Sequence, residues 1–171
     1  KQKANAKLRA SYSIAFATRS SDRIGFTIIW DDIVPGVQRS PRRNRRMVNL
    51  NHLVLTQAVE KGERVFGLGE QYTSIEHTGR RVPIITGEQG VGRGKQPISA
   101  TAELLFKGSS GDWWTTYSAI PHYVTSKARS LFLTNYTYSE FDFTEENAIS
   151  VHMVAPTGMV CGQIIAARDI P

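Results

Sequence analysis

Strict alternation of polar and apolar residues constrains this chain most. From Ser11 to Ala17 the order Ser-Tyr-Ser-Ile-Ala-Phe-Ala sets Tyr12, Ile14 and Phe16 on one side of an extended backbone, because successive side chains of a strand point to opposite faces. The period is wrong for the apolar stripe of a helix, so a half-buried strand is expected there. Segments of the same character recur at Ile24 to Trp30, Asn49 to Gln57, Val82 to Ile85, Ala100 to Phe106, Tyr123 to Ser126, Ser130 to Asn135, Tyr138 to Phe143, Ile149 to Val154 and Met159 to Ala166. Gly, Pro, Asn and Asp lie between them, and Lys127-Ala128-Arg129 is short enough to close a hairpin. Many short strands at this spacing predict an all-β fold, an antiparallel β-sandwich or part of a larger one. Helical periodicity is almost absent. The sandwich is expected as one domain over residues 9–171, with no repeat and no interdomain linker. Residues 1–8 are read as a loose tail, since Lys1 to Lys7 is polar, lysine-rich and without the apolar core of a signal peptide.

Composition narrows the classes. At 171 residues the chain can bury a core without staples. Hydrophobic residues make up 40% and charged ones 21%, which argues against disorder, and no apolar run approaches the ~18 residues of a membrane span. No membrane partner is expected. The lone Cys161 cannot form an internal disulfide, and among Met159, Val160, Ile164 and Ile165 a buried, inert thiol is expected. His52, His77, His122 and His152 are too dispersed for metal-ligand spacing, so neither a metal nor another cofactor is expected. The net charge of +6 is local: Arg39 to Arg46 holds five arginines and no acid. A nucleic-acid surface would spread its charge and interleave aromatics, so nucleic acid is not an expected partner. A solvated loop is the favoured reading of that run, beside a processing site at Arg43-Asn44-Arg45-Arg46 or an anionic-surface contact.

Function is best sought in the Gly-rich run from Thr86 to Pro97, which carries Glu88, Gln89, Gly90, Gly92, Arg93, Lys95 and Gln96 and is preceded by Gly67-Leu68-Gly69-Glu70-Gln71. Glycines alternating with charged and amide side chains suit a shaped surface loop. It is not a P-loop, because Gln89 and Gln96 stand where that motif needs Gly and Ser or Thr. Nor is it a dinucleotide fingerprint, since Lys95 takes the place of the third small residue and no amphipathic helix is expected after it. Catalytic groups are also lacking. Neighbouring carboxylates such as Asp31-Asp32 and Glu145-Glu146 point to opposite faces of a strand and sit where turns are expected, and Ser109-Ser110-Gly111-Asp112 lacks the frame of a nucleophile elbow. A β-rich binding or supporting module is the reading the residues allow.

Val65-Phe66-Gly67-Leu68-Gly69-Glu70 resembles the G-L-G-E signature of the N-terminal β-sandwich in family 31 glycoside hydrolases, the α-glucosidase and α-xylosidase group. Gln71, then Glu88-Gln89-Gly90-Val91-Gly92-Arg93 with Lys95-Gln96, are similar to the sulfoquinovosidase branch, which cleaves α-glycosides of 6-sulfo-6-deoxyglucose. Arg80 to Pro83, Gly111-Asp112, Thr115-Thr116-Tyr117, Pro121, Val124, Ser126 and Phe141-Asp142-Phe143 follow in the same order, so the resemblance covers about Glu63 to Phe143.

The resemblance implies a galactose-mutarotase-like antiparallel β-sandwich. In the family this precedes a (β/α)8 barrel that holds two catalytic aspartates, one as nucleophile and one as general acid of a retaining mechanism. Ile170-Pro171 falls about where sandwich hands over to barrel, and Lys1 stands in place of an initiator Met, so the chain is expected to be a fragment or separate domain, inactive alone. Its implied partners are a sulfonated α-glycoside, in the full-length protein, and its own C-terminal barrel. The loop from Glu88 to Gln96 is implied at the rim of the sugar pocket, with Arg93 or Lys95 supplying positive potential and Glu88 and Gln89 bonding hydroxyls or barrel backbone; domain glue is the other reading. A stand-alone carbohydrate-binding or protein-interaction module remains the alternative. A barrel-facing apolar surface left open should promote oligomers or aggregation. Trp113-Trp114-Thr115-Thr116-Tyr117 reads as a partly buried strand more than a sugar-stacking platform. Asn135-Tyr136-Thr137 is a glycosylation sequon, relevant only on a secretory route that nothing in the sequence establishes.

Overall fold

Alternating segments cannot bury one face alone, so they stack as two antiparallel sheets with their apolar sides together. The computed structural model describes residues 11–31, 52–135, 137–154 and 158–167. The tail at 1–8, the arginine run 39–46, Asp32 and Tyr136 of the sequon lie outside the described residues. The larger sheet contains β1 (Ser11–Ser20), β2 (Arg23–Asp31), β4 (Val65–Gly69), β6 (Ala119–Thr125), β7 (Arg129–Leu133) and β10 (Met159–Ala166), in the order β1-β2-β10-β7-β6-β4. The smaller holds β3 (His52–Ala58), β5 (Arg81–Ile84), β8 (Ser139–Asp142) and β9 (Ala148–Val154), in the order β3-β9-β8-β5. All pairings between these strands are antiparallel, as the all-β expectation required.

Register decides which side chains enter the core. On β9, Ile149, Val151 and Met153 point inward and are almost fully buried, and they meet Phe26, Ile28, Leu131, Leu133 and Val160 of the facing sheet. Tyr123, Phe141 and Phe143 form an aromatic centre with ring centroids 5.7 to 6.2 Å apart. Burial raises the Tyr123 phenol far above its ordinary range, and its hydroxyl donates to Gln57 Oε1 at 2.7 Å. The Lys127-Ala128-Arg129 turn does join two strands, β6 and β7, with Ala128 at φ 56°.

Three expectations are corrected. The strand anticipated from Ala100 to Phe106 is a helix, α1 (Ile98–Leu105). Ile98, Ala102 and Leu105 follow the i, i+4, i+7 spacing, and Ala, Glu and Leu favour helix, so propensity wins where no strand stands ready to pair. A helix therefore does follow the Gly-rich run. Its start is held by the Gln96 side chain, which accepts the Ala100 N–H at 3.2 Å. Residues 113–117 lie in turns and an isolated bridge and not in a strand. Finally, β1 is not half-buried: Tyr12 is 73% exposed, Ile14 49% and Phe16 67%. They continue the inward face of β2 past the reach of the smaller sheet, whose end strand β3 stops over Ile28 and Trp30. β4, with only five residues and two glycines, carried no alternation to reveal it.

The charged groups inside the sandwich are paired, whereas the buried Ser139 hydroxyl on β8 has no partner among the described residues. The Glu63 carboxylate is buried and bonds the Arg129 guanidinium, while Arg129 also reaches the Ala58 carbonyl. Burial pushes the Glu63 carboxyl up, but Arg129, the Thr125 hydroxyl and the Glu60 N–H together outweigh it and hold the group below its usual range. The sequon residue Asn135 is a structural clip: its amide donates to the Met159 carbonyl at 3.0 Å and its oxygen accepts the Cys161 N–H at 2.6 Å. Cys161 is half-buried, with its thiol 3.6 Å from the Thr27 hydroxyl.

Removing the cation should be worse than removing an ordinary surface charge. Arg129→Met leaves a buried carboxylate unpaired, and a loss of about 3 kcal/mol is expected in urea denaturation, with most of it recovered in the Glu63→Leu, Arg129→Met double variant.

Candidate functional site

The Gly67-Leu68-Gly69 segment acts first on the backbone. The β4–β6 register shifts between Gly67 and Gly69, and Gly67, Leu68 and Gly69 all take positive φ. This irregular turn drives Leu68 to complete burial and swings Glu70 outward, its N–H bonded to the Ser118 carbonyl at 2.9 Å. A Cβ on Gly69 would collide with that same carbonyl, so only glycine fits. Gln71 turns back, donating from Nε2 to the Leu68 carbonyl at 3.0 Å. Under the turn, the buried His77 donates from Nε2 to the Gly67 carbonyl at 3.2 Å and stacks on Phe143.

The Gly-rich loop is then clamped onto residues 109–116. Gly87 N–H donates to Thr116 O at 2.9 Å, Val91 N–H to Ser109 O at 2.7 Å and Gly94 N–H to Gly111 O at 2.7 Å. Parallel bridges join Thr86 to Thr116 and Val91 to Ser110. The two chains pass so closely that a Cβ on Gly111 would overlap the Gln89 carbonyl. Gly90 and Gly92 lie against Ser110 and Ser99, and Gln96 is spent on α1.

Arg93 completes the clamp. Held at φ 45°, it donates from Nη1 to the Thr115 carbonyl at 3.1 Å and from Nη2 to the Trp113 carbonyl at 2.9 Å. Its guanidinium carbon stands 5.0 Å from the centre of the Tyr72 ring. Tyr117 donates its hydroxyl to Glu88 Oε1, and this bond raises the Tyr117 phenol. The Glu70 carboxylate beside Tyr72 likewise raises that phenol, against a smaller lowering by the Gln89 amide. Glu70, Tyr72, Glu88, Gln89, Arg93 and Tyr117 thus form one cluster, with Tyr72 and Tyr117 about half exposed. Lys95 is exposed and among the described residues makes no ion pair.

Tyr72 was not singled out in the sequence, although it directly follows Gln71. Trp113 and Trp114 are partly buried and pack edge to face on each other, centroids 5.2 Å apart, so they do not form a flat platform. Glu145 and Glu146 occupy an exposed turn, and no group of three His, Cys, Asp or Glu among the described residues could hold a metal ion.

With the sandwich and its clamped loop described, comparison with known proteins shows what the chain is similar to. No family model matches the chain. It is 32% identical over 98 residues to the sulfoquinovosidase of Escherichia coli strain K12, covering 56% of this chain, and 36% identical over 99 residues to that of Agrobacterium fabrum, covering 55%. The matched region accounts for only 14% of each relative. Among solved structures, a family 31 sulfoquinovosidase from E. rectale in complex with an aza-sugar inhibitor superposes with a TM-score of 0.62 at 17% identity, over 94% of this chain and 27% of that one. A family 31 dextranase from Flavobacterium johnsoniae complexed with glucose gives 0.52 at 16% identity, over 91% and 19%. The chain thus carries a β-sandwich domain similar in sequence to a part of sulfoquinovosidases and in fold to that of family 31 structures.

Burial of His77 lowers its pKa from 6.5, the Gly67 bond opposing and Arg80 adding a little. The fold therefore favours the neutral ring. Its contribution is complete above the unfolded value and is lost as pH falls through the lower folded one. Urea midpoints are expected to drop between pH 7.5 and pH 5.5, and His77→Gln should flatten that drop.

Proposed function

We propose that this domain is the non-catalytic N-terminal sandwich of a retaining α-glycoside hydrolase for sulfonated sugars, and that its Gly-rich loop forms part of the rim of the sugar pocket. The observation that carries the reading is convergence. Two segments separated in sequence, 67–71 and 88–96, meet in one cluster whose exposed groups are phenols, carboxylates and an amide, the groups that bond sugar hydroxyls.

Arg93 holds the loop together and is not free to meet a sulfonate. Lys95 is the loop cation available to raise the positive potential felt by an anionic substrate, and Glu88 and Gln89 face the hydroxyl side. Chemistry belongs to a further domain, because a retaining mechanism needs two carboxylates about 5 Å apart across one bond, and Glu70 and Glu88 are each engaged by a tyrosine. The exposed apolar side chains where α1 ends, Leu104 at 84% and Leu105 at 66%, together with Phe106 just beyond it at 71%, are the surface such a domain would cover. A second reading, a stand-alone carbohydrate-binding module, draws on the loop being ordered by its own sandwich.

In the full-length protein containing this domain, Glu88→Gln and Lys95→Ala should each lower kcat/KM for a sulfoquinovoside about tenfold or more. Unchanged values for both would remove the rim role. Calorimetric binding of sulfoquinovose by the 171-residue chain alone would favour the module.

A further inference from the structure

We propose that β1 is a self-association edge, at which two copies of this chain pair antiparallel through Ser11–Ala17 and cover the Tyr12, Ile14 and Phe16 side chains. Among the described residues β1 pairs only with β2, so the alternate N–H and C=O groups on its far side face outward. An unpaired edge is satisfied by another strand, which sets the chemistry of the occupant.

Two features favour a second copy. The first is self-complementarity. A two-fold axis at Ile14 sets Tyr12 opposite Phe16 of the second copy, and a strand antiparallel to itself closes as a dimer without leaving a new edge. The run from Ser11 to Ala17 has neither charge nor proline to resist this, and its one irregularity lies beyond it, at Thr18 to Ser20. The second is area. Tyr12 and Phe16, 73% and 67% exposed, each present roughly 100–180 Å² of a side chain that can bury 150–250 Å². With Ile14, the backbone edge and the adjoining groove of about 380 Å³ between β1 and Leu53 and Leu55 of β3, two copies would bury on the order of 1,000 Å². That suffices for a specific but weak dimer.

The charged outer groups of such an edge are few, so a single lysine should break it. Sedimentation velocity on the 171-residue chain over a wide concentration range should show a reversible monomer–dimer equilibrium. Ile14→Lys, at a half-exposed position, should weaken it about tenfold or more with the circular dichroism melt unchanged, and Leu104→Lys on α1 should leave it intact. Hydrogen exchange should find those amides between Ser13 and Ala17 that face away from β2 protected in the dimer and fast in the dilute monomer. A monomer at every concentration would overturn the proposal, as would association abolished by Leu104→Lys instead. Concentration-independent protection of those outward-facing amides would also overturn it, by assigning the edge to a segment of the same chain.

Discussion

The Arg93 guanidinium carries much of the architecture of the candidate site. The Gly-rich loop has no place in either sheet, and its glycines give it freedom to adopt many shapes. What selects one shape is a set of backbone bonds to residues 109–116, closed by Arg93 on the carbonyls of Trp113 and Thr115. Because the guanidinium fork is planar and rigid, two carbonyls and the Tyr72 ring are oriented together by one side chain. Those orientations in turn set where Tyr117 meets Glu88 and where Glu70 meets Tyr72.

The sandwich below supplies the stiffness that this clamp needs. Its centre is aromatic, with Tyr123, Phe141 and Phe143 in contact, and the carboxylate buried beside it, Glu63, is partnered by Arg129. The G-L-G turn ties the two levels together. Leu68 anchors it in the core, and the following residue, Gly69, delivers Glu70 to the surface. One short segment therefore serves packing on one side and the site on the other.

Among the described residues, two apolar surfaces stand apart from this arrangement: the end of the larger sheet at β1 and the exposed side chains at the end of α1. They differ in kind. The β1 surface joins apolar side chains to an unpaired backbone edge and so calls for a strand, whereas α1 has its backbone bonds met within the helix and by Lys95 and Gln96 before it, and offers side-chain contact alone.

Much of the β-architecture was legible in the residues themselves, because period-two patterning is a local consequence of backbone geometry. Met159 to Ala166 is a strand over those same residues, and most others agree to within a few positions. The segment from Ala100 to Phe106 was misread because a short apolar stretch satisfies both periods, and only the lack of a pairing strand decides for the helix. The exposure of Tyr12 and Phe16 was equally illegible, since alternation says which face is apolar and not whether anything lies opposite. For the site, sequence order alone marked Gly67 to Gln71 and Glu88 to Gln96 as the segments to watch. That Arg93 turns inward to hold the loop while Lys95 stays in water was settled by the tertiary structure, through which carbonyls came within a guanidinium's reach. Local pattern is written residue by residue, but the partner of a charge depends on chain passing near it from far away in the sequence.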